Sequence, residues 1–458
     1  MNYLIILLAT FLFYGSSLKY GFSQDDFFFL KLAQVHHLKD VLLFFSPFHQ
    51  QGFPFYRPLG TQFYFYVFRS LFGLDKAPIF MHLFMLFLQA ANGYLVFKIV
   101  RHFKFSTRKA LLSGIAYAVA SVHFLSLFYI AATQHLLATA FSLLALLYFL
   151  NNHNWLTLTF LFLGLLSKEN TLFVIFPMIL LSFFESGITK ENVLVLLKRL
   201  VYPLGLFGLY FIFRFYAGII VQTDYKLIFD RRVIQTLRFY LSFIFGFFEK
   251  IQDYPLSNFK QYFIDTHIWG KLVFLTFIIE IGLLLKGFLI ALGQKPKKLR
   301  LFIALLMIFS PIIPYLGLPN HVFPHYLEFS LLGFIFLLLT LFDSFTFYLF
   351  VLIFSVNSYA GIKTSLLLHW SPLRSRLNAQ YTPVIRRKIC SFHSNEVVLD
   401  GDLRLVKELY YSFSGSNGPQ VICNNPHLKV YYKGLNFKGT PPPKAKEIRL
   451  TPALLNHD

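Results

Sequence analysis

Charge is the scarcest resource in this 458-residue chain: Asp, Glu, Lys and Arg together make up 14% of it. A soluble domain of this length carries about a quarter charged residues, so that class is excluded. Acid is scarcer still, with 21 Asp and Glu against 42 Lys and Arg. The resulting charge of +21 does not point to nucleic acid. There is no zinc-finger spacing, and the basic residues cluster at the ends of apolar runs and in the tail, where membrane orientation and anionic headgroups place them. Only two cysteines occur, Cys390 and Cys423, and nothing marks them as catalytic. They could pair if the tail lies in an oxidising compartment; the plainer expectation is two unpaired thiols. No repeat of 20–50 residues is visible, which excludes a solenoid. The N-terminus MNYLIILLATFLFYGSSLKY lacks a basic leader, so an uncleaved first helix is expected rather than a signal peptide.

What is abundant is apolar: 56% of residues, including 60 Phe. Apolar runs recur near 2–18, 78–100, 110–128, 132–150, 155–167, 171–185, 200–217, 268–290, 301–318, 326–342 and 345–362. The expected fold is an all-α polytopic membrane protein of about eleven spans over 1–362, with a small α/β domain over 363–458. Basic loops at 101–109, 188–199 and 294–300 are assigned to the cytoplasm. The long loops 19–77 and 218–267 then face outward, as do the turns 129–133, 167–170 and 319–326. Residues 233–248 are read as an interfacial helix and the tail as extracytoplasmic. In the tail, 396–400, 421–423 and 428–432 read as strands and 403–413 as a helix, followed by a loop-like GTPPPK.

Against this background the stretch GFSQDDFFFL is unusual, because Asp25 and Asp26 sit side by side where the first helix should end. They suit solvation and capping of a helix end, or a general base with a neighbour that tunes it. The first outer loop has amphipathic pieces suited to a membrane surface and closes in QQGFPFYRPLG, where Pro58 disfavours helix at Arg57 and lets one begin there. An Arg at a helix start near the bilayer surface suits phosphate, or snorkels. Lys168 and Glu169 occupy the turn GLLSKENTLF, and Gln134 and His135 open the span that follows 129–133. His321 and His325 have the spacing of metal ligands on a helix, but Pro324 breaks that helix, so no metal site is assigned. These clusters all fall on one face of the membrane. A transporter would instead place polar groups near the midplane of several helices, and the spans are read as lacking them.

The pattern resembles the GT-C superfamily of integral-membrane glycosyltransferases, within the group using dolichyl- or polyprenyl-phosphate sugars that includes protein O-mannosyltransferases. SQDDFFFL resembles the acidic motif of the first outer loop, and FYRPLGTQFYFYVFR the element closing it. HFLSLFYIAATQHLLATAFSLLAL and LLSKENTLFVIFPMIL resemble two helix hairpins, and LPNHVFPHYLEFSLLGF a later outer turn. The likeness covers about 1–345; the chain lacks a proline after His123, an acidic residue before its fourth span and a tetratricopeptide array. The resemblance implies inverting transfer of a sugar from a polyprenyl- or dolichyl-phosphate donor to a hydroxyl of a protein, lipid or glycan at the extracytoplasmic face. Asp25 and Asp26 are the expected catalytic pair, and Arg57 and Lys168 the donor-phosphate ligands. Tyr56, Gln134, His135, Glu169, His321, His325 and Tyr326 are the expected substrate contacts. No cofactor is indicated, although a divalent cation is left open. The membrane would be the plasma membrane in a prokaryote and the endoplasmic reticulum in a eukaryote. The alternatives are a polyprenol-linked polysaccharide ligase or polymerase, and a non-enzymatic transporter or flippase.

Overall fold

In a hydrocarbon environment a backbone must satisfy its own hydrogen bonds, and most of the described residues in the apolar runs of this chain are helical. The computed structural model describes residues 1–35, 37–46, 55–216, 226–249, 251, 254, 259–391, 395–435 and 445–450. Among the described residues, eight helical segments are long and apolar enough to cross a membrane: Asn2–Lys19, Leu59–His102, Thr107–Phe128, Ile130–Leu150, Lys190–Tyr216, His267–Leu292, Pro324–Leu341 and Ser344–Leu368. Asn154–Ser167 and Lys295–Phe309 are shorter than the about 20 residues a crossing takes. The expected run at 301–318 in fact starts earlier and stops at Phe309; a turn over Ser310–Ile312 and the short helix Ile313–Leu316 follow, with prolines at 311 and 314.

Packing sorts these helices by how much of each is covered. Pro324–Leu341 is buried along its whole apolar window and forms the centre of the bundle. Lys190–Tyr216 and His267–Leu292 turn most of their apolar side chains outward, Leu194, Phe211, Ile278 and Leu289 among them. Such a surface suits lipid rather than water. Helices Tyr64–His102 and Thr107–Val119 meet at Gly93 and Gly114. A Cβ on Gly93 would lie 2.7 Å from the Gly114 carbonyl oxygen, and one on Gly114 2.6 Å from that of Gly93. Only glycine allows that approach, which Ile6 of the first helix caps from one side.

The first outer loop is shorter than the sequence suggests, because helix resumes at Tyr64, with a break at Gly73 (φ +68°) before Pro78. Asp25 and Asp26 open the helix Asp25–Leu32, and Leu38–Phe45 forms a 3₁₀ segment with Leu38 and Leu42 exposed. Residue 36, residues 47–54 and the GTPPPK stretch lie outside the described residues. Helix Arg232–Ile244 rises only about 20 Å, too little to span; its buried face, Thr236, Phe239, Tyr240 and Phe243, packs on protein.

The tail begins with a helix the sequence reading did not anticipate, Trp370–Lys388. It leads into a three-stranded parallel sheet of order β2-β1-β3, with β1 at Glu396–Asp400, β2 at Lys429–Tyr432 and β3 at Lys446–Arg449. Parallel neighbours need crossovers, and helices Leu403–Ser412 and Asn417–Cys423 supply them between β1 and β2. Residues 421–423, expected as a strand, are therefore the end of a helix. The two cysteines, expected as unpaired thiols, form a disulfide from the end of the Trp370–Lys388 helix to the end of Asn417–Cys423. Sequence spacing could not decide this, since pairing depends on Cα atoms being brought within about 7 Å; here they are 5.0 Å apart.

The α/β unit is stitched to the start of the chain. The Gly21 N–H donates to Ser375 Oγ (2.7 Å), the Gln24 N–H to the Ser412 carbonyl (2.8 Å), and Phe27 packs on Phe413. Ser371 Oγ donates to the Phe128 carbonyl at 3.1 Å. The tail thus sits at the same end of the bundle as the acidic pair.

Candidate functional site

The site is assembled around a tight turn, Tyr129–Gln134, between two buried helices. Its hydroxyl, amide and side chain reach three sequence-distant groups in succession. The Tyr129 hydroxyl accepts from the Asp25 N–H at 2.9 Å. The Ala131 N–H donates to Asp26 Oδ1 at 2.6 Å. Gln134 Nε2 donates to the Ala131 carbonyl at 3.0 Å, and its Oε1 accepts from the Arg57 guanidinium at 2.9 Å. One turn therefore ties the acid pair to the arginine that closes the first loop.

These groups border a cavity of about 560 Å³, a size suited to a small-molecule site. Asp25, Arg57, Gln134, His135, Lys168, His321, His325 and Tyr326 all line it. The same cavity is lined by residues the sequence reading missed: Gln24, Tyr129, Asn320, Trp370 and Ser414, with Phe28, Phe29 and Phe55 as an apolar wall. Tyr129 was legible as part of an outward turn. Trp370 and Ser414 carried no sequence signal, because nothing along the chain shows that the tail folds back onto residue 24.

Asp26, Tyr56 and Glu169 do not line the cavity. Asp26 is fully buried, and its second oxygen accepts from the Ser23 N–H at 2.7 Å, so both oxygens are taken by backbone amides. It holds the entry to the Asp25–Leu32 helix against the 129–134 turn. The Tyr56 hydroxyl donates to the Phe45 carbonyl at 2.7 Å and pins the first loop. Glu169 grips Arg57, accepting from Nε at 2.7 Å and from a terminal nitrogen as well; Arg214 is the second cation beside it, at 3.7 Å. The expected substrate contact is thus a counter-ion that orients the guanidinium.

At the cationic end Arg57 is 6% and Lys168 5% exposed, and Phe55 lies across the guanidinium at 4.7 Å. Lys168 Nζ meets His135 Nε2 at 2.7 Å, and the rings of His135 and His325 stand 3.6 Å apart. The Nδ1 atoms of both histidines are buried with no hydrogen-bond partner among the described residues. Burial, with Arg57 nearby, pulls the Lys168 ammonium well below its ordinary range, and Glu169 and Glu328 only partly offset this. Burial, Lys168 and Arg57 bring His321 down to about 3, so its imidazole is neutral. Glu169 is already shared between Arg57 and Arg214, and Lys168 stands beside the neutral His321, so an anionic ligand would supply counter-charge that this end lacks.

The opposite end holds the acid. Asp25 is exposed onto the cavity, yet protein closes around that space, and this burial pushes its carboxyl above the usual aspartate range. The Tyr129 hydroxyl and Arg374 pull it back in part. Burial likewise drives Asp26 well above the ordinary range, against the two amide bonds. Among the described residues no group of three His, Cys, Asp or Glu side chains is arranged to hold a metal ion.

The expectation that the spans lack polar groups near their centres is corrected. Gln89 and Asn92 are buried in the Leu59–His102 segment, and Glu280 of His267–Leu292 accepts from Asn357 of Ser344–Leu368 at 3.0 Å. They face other helices, which hides them from a reading that sees only average hydropathy. No family model, curated protein or solved structure matches the chain.

Proposed function

We propose that this chain is a multi-pass membrane glycosyltransferase of the GT-C type. It moves a sugar from a polyprenyl-phosphate donor to an acceptor hydroxyl at the extracytoplasmic face. The observation that carries the reading is one cavity lined jointly by Asp25, Arg57 and Lys168, groups far apart in sequence. The acceptor oxygen attacks the anomeric carbon as the bond from that carbon to the phosphate oxygen breaks. The bonding pair leaves with the phosphate, the hydroxyl proton passes to the Asp25 carboxylate, and configuration inverts. A phosphate leaving group needs no proton, so one carboxylate suffices where glycosidases use two. Arg57, held in place by Glu169 and Gln134, and Lys168 stabilise the charge that develops on the phosphate.

The disulfide supports the sidedness. Such bonds persist in oxidising compartments, and the unit that carries it is stitched to the Asp25 end of the bundle. The buried Glu280–Asn357 pair is the feature a transporter reading would use; it joins two helices, and neither residue borders the large cavity.

The test is transfer by the purified chain from undecaprenyl-phosphate-linked hexoses to a mixed panel of hydroxyl acceptors. Asp25→Asn is expected to lower the rate by about 10²–10⁴-fold while donor binding is retained. Full activity in that variant removes Asp25 as the base.

A further inference from the structure

The cavity is chemically two-ended, and its second end is built by the tail. Gln24, Asp25, Tyr129, Trp370 and Ser414 form one cluster along its wall. The Tyr129 hydroxyl touches Asp25, and the Trp370 indole stands edge-on to the Tyr129 ring at 5.2 Å. The Gln24 N–H bonds the Ser412 carbonyl, two residues before Ser414. Trp370 is anchored by Glu249, which accepts from Nε1 at 3.4 Å and from the His369 ring at 2.9 Å. The Arg374 guanidinium lies 5.0 Å from the indole centroid.

Arg374 does not leave an open anion site here. Its Nε donates to Glu408 at 3.1 Å and a terminal nitrogen to Gln24 Oε1. The end of the cavity next to the base therefore offers an amide, two hydroxyls, one carboxylate and an indole, with its cation already matched by Glu408. That set lacks the charge a phosphate or carboxylate would select. Hydroxyl-rich ligands with apolar C–H faces meet both halves of it: uncharged hydrogen-bonding groups for the hydroxyls, and an aromatic surface for the ring carbons.

We infer that the cluster of Gln24, Asp25, Tyr129, Trp370 and Ser414 is an acceptor subsite for a saccharide, completed by the C-terminal α/β unit. The inference rests on the transferase reading for the identity of the reaction and names its acceptor class. A sugar hydroxyl seated on Trp370 lies beside the carboxylate that takes its proton. The donor phosphate occupies the Arg57 and Lys168 end, and the transferred sugar lies between. The acceptor O–H bond breaks as its oxygen bonds the anomeric carbon, and the phosphate leaves with the electron pair.

The chain holds three tryptophans, so Trp155→Phe with Trp269→Phe leaves Trp370 as the only indole. In that full-length protein, emission is titrated with a panel of methyl hexopyranosides and their disaccharides, and separately with a serine- and threonine-rich peptide. At least one saccharide is expected to shift the emission saturably. In transfer assays from undecaprenyl-phosphate hexose, Trp370→Ala should raise the saccharide KM about tenfold with a smaller change in kcat, and Trp370→Phe should recover most of it. A response to the peptide alone, or to none of the probes, overturns the saccharide subsite. Saccharide binding with no transfer from any polyprenyl-phosphate hexose supports the subsite and overturns the transferase reading instead, so the two failures are distinct. Because the first measurement uses unaltered Trp370, it stands even if Trp370→Ala does not fold.

Discussion

Asp25 and Asp26 are neighbours in sequence and opposites in environment. Asp26 spends both oxygens on backbone amides and positions the loop; Asp25 faces the cavity. The carboxylate, not the acid, accepts a proton, so activity that depends on Asp25 is present above its pKa and lost as pH falls through it. Because that pKa is raised, the acid limb of kcat/KM is expected above the ordinary aspartate range. The Tyr129 hydroxyl favours the charged form, so Tyr129→Phe should move the acid limb to higher pH, which a pH–rate profile would detect. An unmoved limb would separate Tyr129 from the base. At the other end, Arg57 makes a forked contact with Glu169 and a third bond to Gln134. Lys cannot reproduce that fork, so Arg57→Lys is expected to lose about 10²-fold in kcat/KM for the lipid donor despite keeping the charge. Donor kinetics within a few-fold of wild type would take Arg57 out of the phosphate site.

Among the elements, the YRPLG turn shows why this short motif has its composition. Pro58 precedes the helical turn Leu59–Phe63, and Gly60 lies against two other parts of the site. A Cβ there would stand 2.6 Å from the Ser167 carbonyl oxygen and 2.8 Å from Gln134 Cβ. Backbone cannot yield as a side chain does, so Gly60→Ala should cost about 1–3 kcal/mol and push the turn away from Lys168 and Gln134 together. The measurement is a thermal melt alongside donor binding, and wild-type behaviour in both would mean the close approach is not needed. The motif was readable as a helix start with an arginine; that its glycine is a packing contact was not, because its partners, Gln134 and Ser167, lie far along the chain.

For the molecule as a whole, the tail determines whether the cavity has a second wall. The disulfide closes a loop with a sequence separation of 33, and breaking it should cost the α/β unit on the order of 3 kcal/mol. In a Cys390→Ser chain the remaining Cys423 reports sidedness. A membrane-impermeant maleimide is expected to label it in intact cells, whereas labelling only after lysis would put the tail in the cytoplasm and refute the outward assignment. Loss of the disulfide should also raise the acceptor KM more than the donor KM, since Trp370 and Ser414 line the end of the cavity proposed for the acceptor.

Composition and periodicity alone determined that the chain is helical and apolar and roughly where most of its long apolar helices run, because those properties are local: hydropathy and backbone pairing act within one segment. They also placed β1, β2 and the helix between 403 and 412, whose patterns are self-contained. Tertiary structure alone decided that Asp26 and Glu169 support rather than line the cavity, that Cys390 and Cys423 pair, and that Trp370 and Ser414 join the site. Each of these depends on which distant backbone arrives within a few ångströms, and no short-range pattern in the chain encodes that distance.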